Sequence, residues 1–299
     1  MTDNYVRRMA LAGGLACVAA SPTAAIAKTV ELPRTDKWHV DWNEESCTLV
    51  GQFGAGKDAI FLKFIQFAPS DQFTLHAFGP VFSAAEPDRG PPVLTVRVMF
   101  GSDGAGREVR GLTGRAGKLF FADLGSHRFD EHEKYPDSGK APAPPMTAEQ
   151  QARVTDLTIG PLRGRSYRLK TGPMAPPMQA MNACTTDLVR HWGYDPVAQA
   201  NLSRRVEPIG NPGDWLNGRD YPIAALFNGK SAVVQFRLDV DEQGSVIGCH
   251  VVQVTKAADF VEQTCRALTR RARFTPALDA AGKPTKAYYV NMVRWIMGV

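Results

Sequence analysis

From residue 38 to about 172, apolar residues recur in short β-rich runs. The segments 38–42, 46–53, 59–67, 72–78, 93–100, 108–112, 118–124, 154–159 and 167–170 are short and rich in β-branched and aromatic residues. They are candidate strands. Turn residues separate them: Gly54 and Gly56, Pro69-Ser70-Asp71, the stretch from Pro87 to Pro92, and Asp103-Gly104 with Gly106. Many short strands so spaced predict a β-rich antiparallel domain, sandwich-like or barrel-like. The Pro-rich stretch 133–147 reads as a surface loop. The pattern then changes. Met178, Met181, Cys184, Thr185, Leu188 and Trp192 fall on one face at steps of three and four, which predicts a helix over 177–192, stopped by Gly193 and packed on the strands.

Segment 195–218 has prolines, glycines and no apolar period, and reads as a linker. Beyond it periodicity returns. Tyr221-Pro222 before Ala224, Ala225, Leu226 and Phe227 suits a short helix with Pro in its first turn. Ala232, Val234, Phe236, Leu238 and Val240 alternate with Gln235, Arg237 and Asp239, as in a half-buried strand. The run 241–244, ending in Gly244, is a hairpin turn, and 246–254 is the return strand. Asp259 and Glu262 resemble a capping box for a helix to about Arg271 that buries Val261, Cys265, Leu268 and Ala272. A loop over 279–284 precedes a last strand over 286–297. No repeat with a solenoid period is visible.

Several of these pieces together resemble a known family. Tyr221-Pro222-x-x-Ala225, V-x-F-x-L-x-V at 234–240, D-x-x-G-x-V at 241–246, R-A-R-F-x-P-A at 271–277, G-K-P at 282–284 and a final Val293-Arg294-Trp295 resemble the C-terminal domain of TonB and TonB-like energy transducers. The resemblance spans about residues 220–299. It implies a three-stranded antiparallel sheet with two helices on one face and the last strand at an open edge, which in TonB receives a peptide from an outer-membrane receptor. The expected whole is therefore α+β: 28–194 β-rich with a trailing helix, 195–218 linking, and 219–299 TonB-like. The sequence departs from TonB in having no lasting membrane anchor and no long Pro-rich spacer, so transmission of force from the inner membrane is not expected of it.

Residues 1–27 read as an export signal: Arg7 and Arg8, a short apolar run from Met9 to Ala20, and Ala25-Ile26-Ala27 as a cleavage site. The run is far short of the about 20 residues that cross a bilayer. Arg7-Arg8 as a twin-arginine signal and Cys17 as a lipidated cysteine are weaker fits than ordinary export to the periplasm. Removing the signal leaves Cys47, Cys184, Cys249 and Cys265, an even number that in an exported chain predicts two disulfides among three pairings. Cys249 falls on the return strand and Cys265 on the helix expected over it, a structural staple of about 3 kcal/mol. Cys47–Cys184 follows by elimination.

Composition adds limits. The chain has 299 residues, 44% hydrophobic and 22% charged, with a net charge of +5, which is ordinary for globular domains and too small to argue for nucleic acid. The run Gly51 to Asp58 approaches a P-loop, but Asp58 stands where Ser or Thr should bind magnesium and a strand follows instead of a helix, so a turn is the better reading. His127, Asp130, Glu131, His132 and Glu133 lack metal-ligand spacing and read as a solvated charged loop. His39, His76, His191 and His250 are isolated. No G-x-S-x-G, H-E-x-x-H or S-x-x-K is present, and no catalytic residue, metal or cofactor is expected. Arg266, Arg270, Arg271 and Arg273 form a basic edge, read as a solvated face or a contact for an acidic partner.

The expected function is binding of an extended segment of a periplasmic or outer-membrane protein by strand addition. The last strand would supply the edge, and Tyr288, Tyr289, Val290, Val293 and Trp295 the contacts. The alternative is a periplasmic hydrolase whose site lies in the β-rich domain, with the TonB-like module as a targeting element.

Overall fold

A computed structural model describes residues 28–84, 93–101, 106–116, 119–130, 145–162, 164–254 and 258–297. The expected export signal at 1–27 with Cys17, the expected turns at 87–92 and 103–104, most of the expected loop at 133–147, and Glu131, His132 and Glu133 lie outside the described residues. Among the described residues no helix is long and apolar enough to cross a membrane.

Ten strands form one continuous sheet: β1 (Lys28–Pro33), β2 (His39–Trp42), β3 (Cys47–Phe53), β4 (Ile60–Gln66), β5 (Phe73–Phe78), β6 (Val93–Phe100), β7 (Arg107–Ala116), β8 (Leu119–His127), β9 (Leu157–Leu162) and β10 (Arg165–Lys170). Their order is β1-β10-β9-β6-β7-β8-β5-β4-β3-β2. Every pair is antiparallel except β1 with β10. Side chains alternate between its two faces. In β5, Phe73, Leu75 and Ala77 are buried, while Thr74, His76 and Phe78 are half-buried on the other side.

The two ends of the sheet meet. Arg34 bridges Phe53, the Thr35 N–H donates to the Gln52 carbonyl at 2.9 Å, and the Gly54 N–H donates to the Pro33 carbonyl at 3.0 Å. The result is barrel-like, and a helix closes it. Helix α1 (Ala148–Arg153), capped by a Thr147–Gln150 box, precedes α2 (Ala175–His191), which inserts Met178, Met181, Cys184 and Leu188 among Leu49, Phe64 and Leu75. Cys184 is bonded to Cys47. Helix α2 begins with Pro176 and Pro177 in its first turn and ends in a Schellman turn. Gly193 takes a φ of +85°, its N–H donates to the Arg190 carbonyl, and the Tyr194 N–H donates to the Val189 carbonyl.

Segment 195–218 lies along the C-terminal sheet and has structure of its own. It holds α3 (Pro196–Ala200) and β11 (Glu207–Pro208). The Arg204 guanidinium donates to the Pro276 carbonyl, and Val206 and Trp215 join the C-terminal core.

The C-terminal part follows the expected helix–strand–strand–helix–strand order: α4 (Ile223–Phe227), β12 (Ala232–Val240), β13 (Val246–Val254), α5 (Ala258–Arg271), the short β14 (Phe274–Thr275), β15 (Ala277–Leu278) and β16 (Pro284–Thr285), and β17 (Ala287–Trp295). The sheet is antiparallel in the order β13-β12-β17, with β14 paired to β11 and β15 to β16. Gly244 at the hairpin has φ +82°, and a Cβ there would stand 1.9 Å from the Phe274 carbonyl oxygen. Only glycine fits both constraints.

Helix α5 differs from expectation in its phase. It buries Phe260, Thr264, Ala267 and Leu268, while Val261 and Cys265 are half-buried at the margin, where Cys265 is bonded to Cys249. Thr264 belongs inside because its hydroxyl accepts the Trp295 indole N–H at 3.0 Å. Asp259 lies within the helix, one residue past its start, and Glu262 pairs with Arg266 one turn on.

Candidate partner interface

Strand β17 is the last strand of its sheet, with β12 as its one strand neighbour among the described residues. Its backbone alternates between facing β12 and facing away. The Met292 N–H donates to the Asn291 side chain at 2.8 Å, and just before the strand the Lys286 carbonyl accepts Gln199 at 3.0 Å. The Met292 N–H is thereby engaged outside the ladder to β12, and the Ala287 carbonyl accepts the Tyr194 hydroxyl at 3.2 Å. The alternation then places the backbone groups of Tyr288, Val290 and Arg294 on the open margin.

Side chains alternate as well. Tyr289, Val293 and Trp295 lie on the helix side. The Tyr289 ring is 5.0 Å from that of Phe274 and 6.0 Å from Trp215, and burial raises its phenol pKa. Val293 packs on both C-terminal clusters. Trp295 is buried between Tyr221 and Phe260. These three were expected to contact a partner with their side chains, but their rings and methyls are committed to the core that flattens the strand.

Tyr288 and Val290 lie on the opposite face, beside Asp239 and Arg237 of β12. That face is covered. The end of α2 brings Trp192 and Tyr194 within 5.1 and 5.6 Å of Tyr288, and burial raises the Tyr288 pKa. Arg237 is 4% exposed and lies 4.4 Å over the Trp192 ring, with Glu45 Oε2 at 3.7 Å and Asp239 Oδ1 at 3.5 Å. Trp192 Nε1–H donates to Glu45 at 3.1 Å. Asp239 joins three elements. One oxygen accepts the Tyr194 hydroxyl at 3.0 Å, and the other meets His250 Nε2 at 2.7 Å. Burial, then the charge and hydrogen bond of Asp239, push the Tyr194 phenol well above its ordinary value.

The sequence reading missed this junction. Gln235 and Arg237 occupy the polar phase of an alternating strand, yet both are buried because the ten-stranded unit lies on them. The available signal was Trp192 and Tyr194 flanking Gly193, two aromatic rings placed where a helix turns away.

The basic edge divides into separate contacts. Arg271 forms a two-pronged pair with Asp220 at 2.5 and 2.9 Å, holding that carboxyl below its usual range, and also donates to the Trp215 carbonyl. Arg266 pairs with Glu262, Arg273 donates to the Ala272 carbonyl, and Arg270 is exposed. The P-loop-like run is the end of β3, a 3-10 turn over Gly56–Asp58 and then β4, as expected of a turn. The solvated-loop reading of residues 127–130 is wrong. His127 is buried against Phe73 and Phe100 and bonds the Leu124 carbonyl, and the part-buried Arg128 grips Asp130 at 2.8 and 2.9 Å. His250 is engaged by Asp239 and so is not isolated. Among the described residues no group of histidine, cysteine and carboxylate side chains is arranged to hold a metal.

The C-terminal part is thus a small antiparallel sheet with helices on one face and β17 as its last strand. Residues 217–297 match the family described as Gram-negative bacterial TonB protein C-terminal. The match covers the segment that the sequence resemblance marked, and it relates the chain to the bacterial envelope and to TonB-dependent transport. Domains of this family interact with other envelope proteins. Comparison with curated proteins gives no match.

Proposed function

We propose that this is an exported, non-catalytic envelope protein that binds an extended segment of a protein partner by adding it as a fourth strand beside β17. What carries the reading is the free margin of β17 within the family-matched segment. An edge strand presents unpaired N–H and C=O groups, and an extended chain satisfies them at little ordering cost to the host. Tyr288, Val290 and Arg294 supply the pairing groups. Tyr289, Val293 and Trp295 act by holding the strand flat against the core. The partner is a periplasmic or outer-membrane protein, reached in the periplasm through the export signal at 1–27. The β-rich part, 28–194, serves as the body to which the module is fixed.

The test is photocrosslinking from a benzoylphenylalanine placed at Arg294 in the native periplasm, with mass spectrometry to name the partner. Val290→Pro then removes one outward N–H without breaking the ladder to β12. Capture should be lost while the fold, followed by circular dichroism, is kept. Undiminished capture by the folded Val290→Pro protein would sink the proposal.

A further inference from the structure

On the face of the C-terminal sheet that meets the ten-stranded one, cross-strand pairs follow one another along β12 and β17. Asp239–Tyr288 and Arg237–Val290 lie under the end of α2. The next two, Gln235–Met292 and Val233–Arg294, line a cavity of about 220 Å³ instead. Its opposite wall is the outer face of the ten-stranded sheet. There a row of neighbours crosses four strands: Lys63 of β4, His76 of β5, Asp123 of β8 and Leu112 of β7. The last three line the cavity. Strand phase directs their side chains to it, because the residues flanking them, Leu75 and Ala77 in β5 and Ala122 and Leu124 in β8, are buried on the other face.

The lining is mainly apolar, with Phe67, Leu112 and Phe121 on one side and Val233, Met292 and Ile296 on the other. Into it are set two groups that do not satisfy each other. His76 Nε2 and Asp123 Oδ1 stand 3.6 Å apart, beyond hydrogen-bond reach. Their side chains keep 19% and 28% of their surface open, so a molecule in the cavity can touch both. The Gly125 N–H donates to Asp123 at 2.9 Å and fixes the carboxylate. Burial, opposed by Asp123 and helped by Lys63, lowers the His76 pKa from 6.5. At neutral pH the ring is therefore uncharged, with one N–H donor and one bare nitrogen.

Size and charge together narrow the ligand. An apolar cavity of about 150 Å³ takes up benzene, so this one suits a single substituted ring. An anion would be set against Asp123, and a cation against Arg294 in the lining and Lys63 beside His76. We infer that the cavity between the two sheets is a binding site for a small neutral phenol, with its ring against Phe67, Phe121 and Met292 and its hydroxyl held by Asp123 and His76. The hydroxyl donates to the carboxylate and accepts from the imidazole N–H. This site does not depend on strand addition. Both sheets contribute a wall, so the bound phenol also strengthens their junction.

The probe is 4-ethylphenol, titrated into the full chain by calorimetry, with ethylbenzene as the same body without the hydroxyl. The phenol should bind roughly tenfold more tightly than ethylbenzene, the worth of a hydrogen bond to a carboxylate, and should raise the melting temperature. In Asp123→Leu the two compounds should bind alike, and retained ethylbenzene binding shows that the cavity is intact. If that variant does not fold, His76→Leu gives the same comparison. Leu112 is 43% exposed, so Leu112→Trp can fill the cavity without disturbing the core, and it should abolish binding of both compounds. The inference is overturned if 4-ethylphenol does not bind up to its limit of solubility, or if the parent protein binds both compounds equally. It is overturned as well if the preference for the phenol survives in the Asp123 or His76 variant, or if Leu112→Trp binds as the parent does.

Discussion

Replacing Asp239 with alanine should loosen the whole junction between the two sheets. The carboxylate takes the Tyr194 hydroxyl at 3.0 Å and His250 at 2.7 Å, and it is one of two acids beside the buried Arg237. A hydrogen bond to a charged acceptor contributes about 1.5–3 kcal/mol when shielded. Tyr194 belongs near the lower end of that range. The His250 side chain is 42% exposed, so solvent reduces its share to about 0.5–1 kcal/mol. Arg237 would keep only Glu45, at 3.7 Å, as an acidic neighbour, which adds roughly another 1 kcal/mol for a buried cation with less compensation. Asp239→Ala should therefore cost about 3 kcal/mol. Tyr194→Phe should cost about 1 kcal/mol, and the double variant about as much as Asp239→Ala alone, leaving a coupling of about 1 kcal/mol. Urea unfolding followed by tryptophan fluorescence is well placed to read this, because Trp192 lies directly under Arg237. Loss of the junction should also let the two sheets unfold separately, seen as fluorescence and circular dichroism transitions that no longer coincide. A coupling indistinguishable from zero would mean that Tyr194 and Asp239 are not in contact in solution, and the argument for a fixed arrangement of the sheets would go with it.

Other consequences are simpler to state. Burial lowers the His76 pKa from 6.5, and Lys63 lowers it further against the opposing pull of Asp123. The unfolded chain therefore takes up a proton first as pH falls through about 6.5, and stability drops with it. His76→Gln should flatten the melting temperature between about pH 7 and pH 5 relative to the parent, and an unchanged slope would refute this. Opening the Cys249–Cys265 bond by replacing both residues with alanine frees a loop of separation 16 and should cost about 3 kcal/mol in denaturant unfolding. Gly244→Ala places a methyl against the Phe274 carbonyl at a positive φ. It should cost more than the about 1 kcal/mol of an ordinary glycine replacement, and a neutral melt would show that the hairpin does not pack there.

How far the sequence carried these conclusions depended on what each residue packs against. Val234, Phe236, Leu238 and Val240 all lie inside, as their alternation predicts, because one face of β12 meets helices in the usual way. Arg237 on the other face was unreadable, since its burial comes from Trp192 and Glu45, which are remote in the chain. The α5 phase slipped because Val261 is apolar and Thr264 is not, yet Thr264 has a tryptophan N–H to satisfy. Strand β1 was missed for a similar reason. Its partner β10 lies more than a hundred residues away and runs parallel, so neither a turn nor a hairpin marks it. Segment 195–218 looked like a linker because it is held by isolated contacts such as Arg204 to the Pro276 carbonyl, which have no period. The place of β17 as the last strand of its sheet was expected from the family resemblance.

The two disulfides and the Arg237 junction give the proposed binding margin of β17 a mechanical footing. A guest paired to β17 is joined through the ladder to β12, whose Arg237 lies on Trp192 and whose Asp239 holds Tyr194. Both aromatic residues belong to the end of α2, and Cys184 in the middle of that helix is bonded to Cys47 in β3. On the other flank, Cys265 ties α5 to β13. No step in this path depends on a long exposed loop. A load on the guest would therefore reach the ten-stranded sheet through packed rings, hydrogen bonds and a covalent bond. In the proposed role, the β-rich part sets the direction in which the guest strand is held.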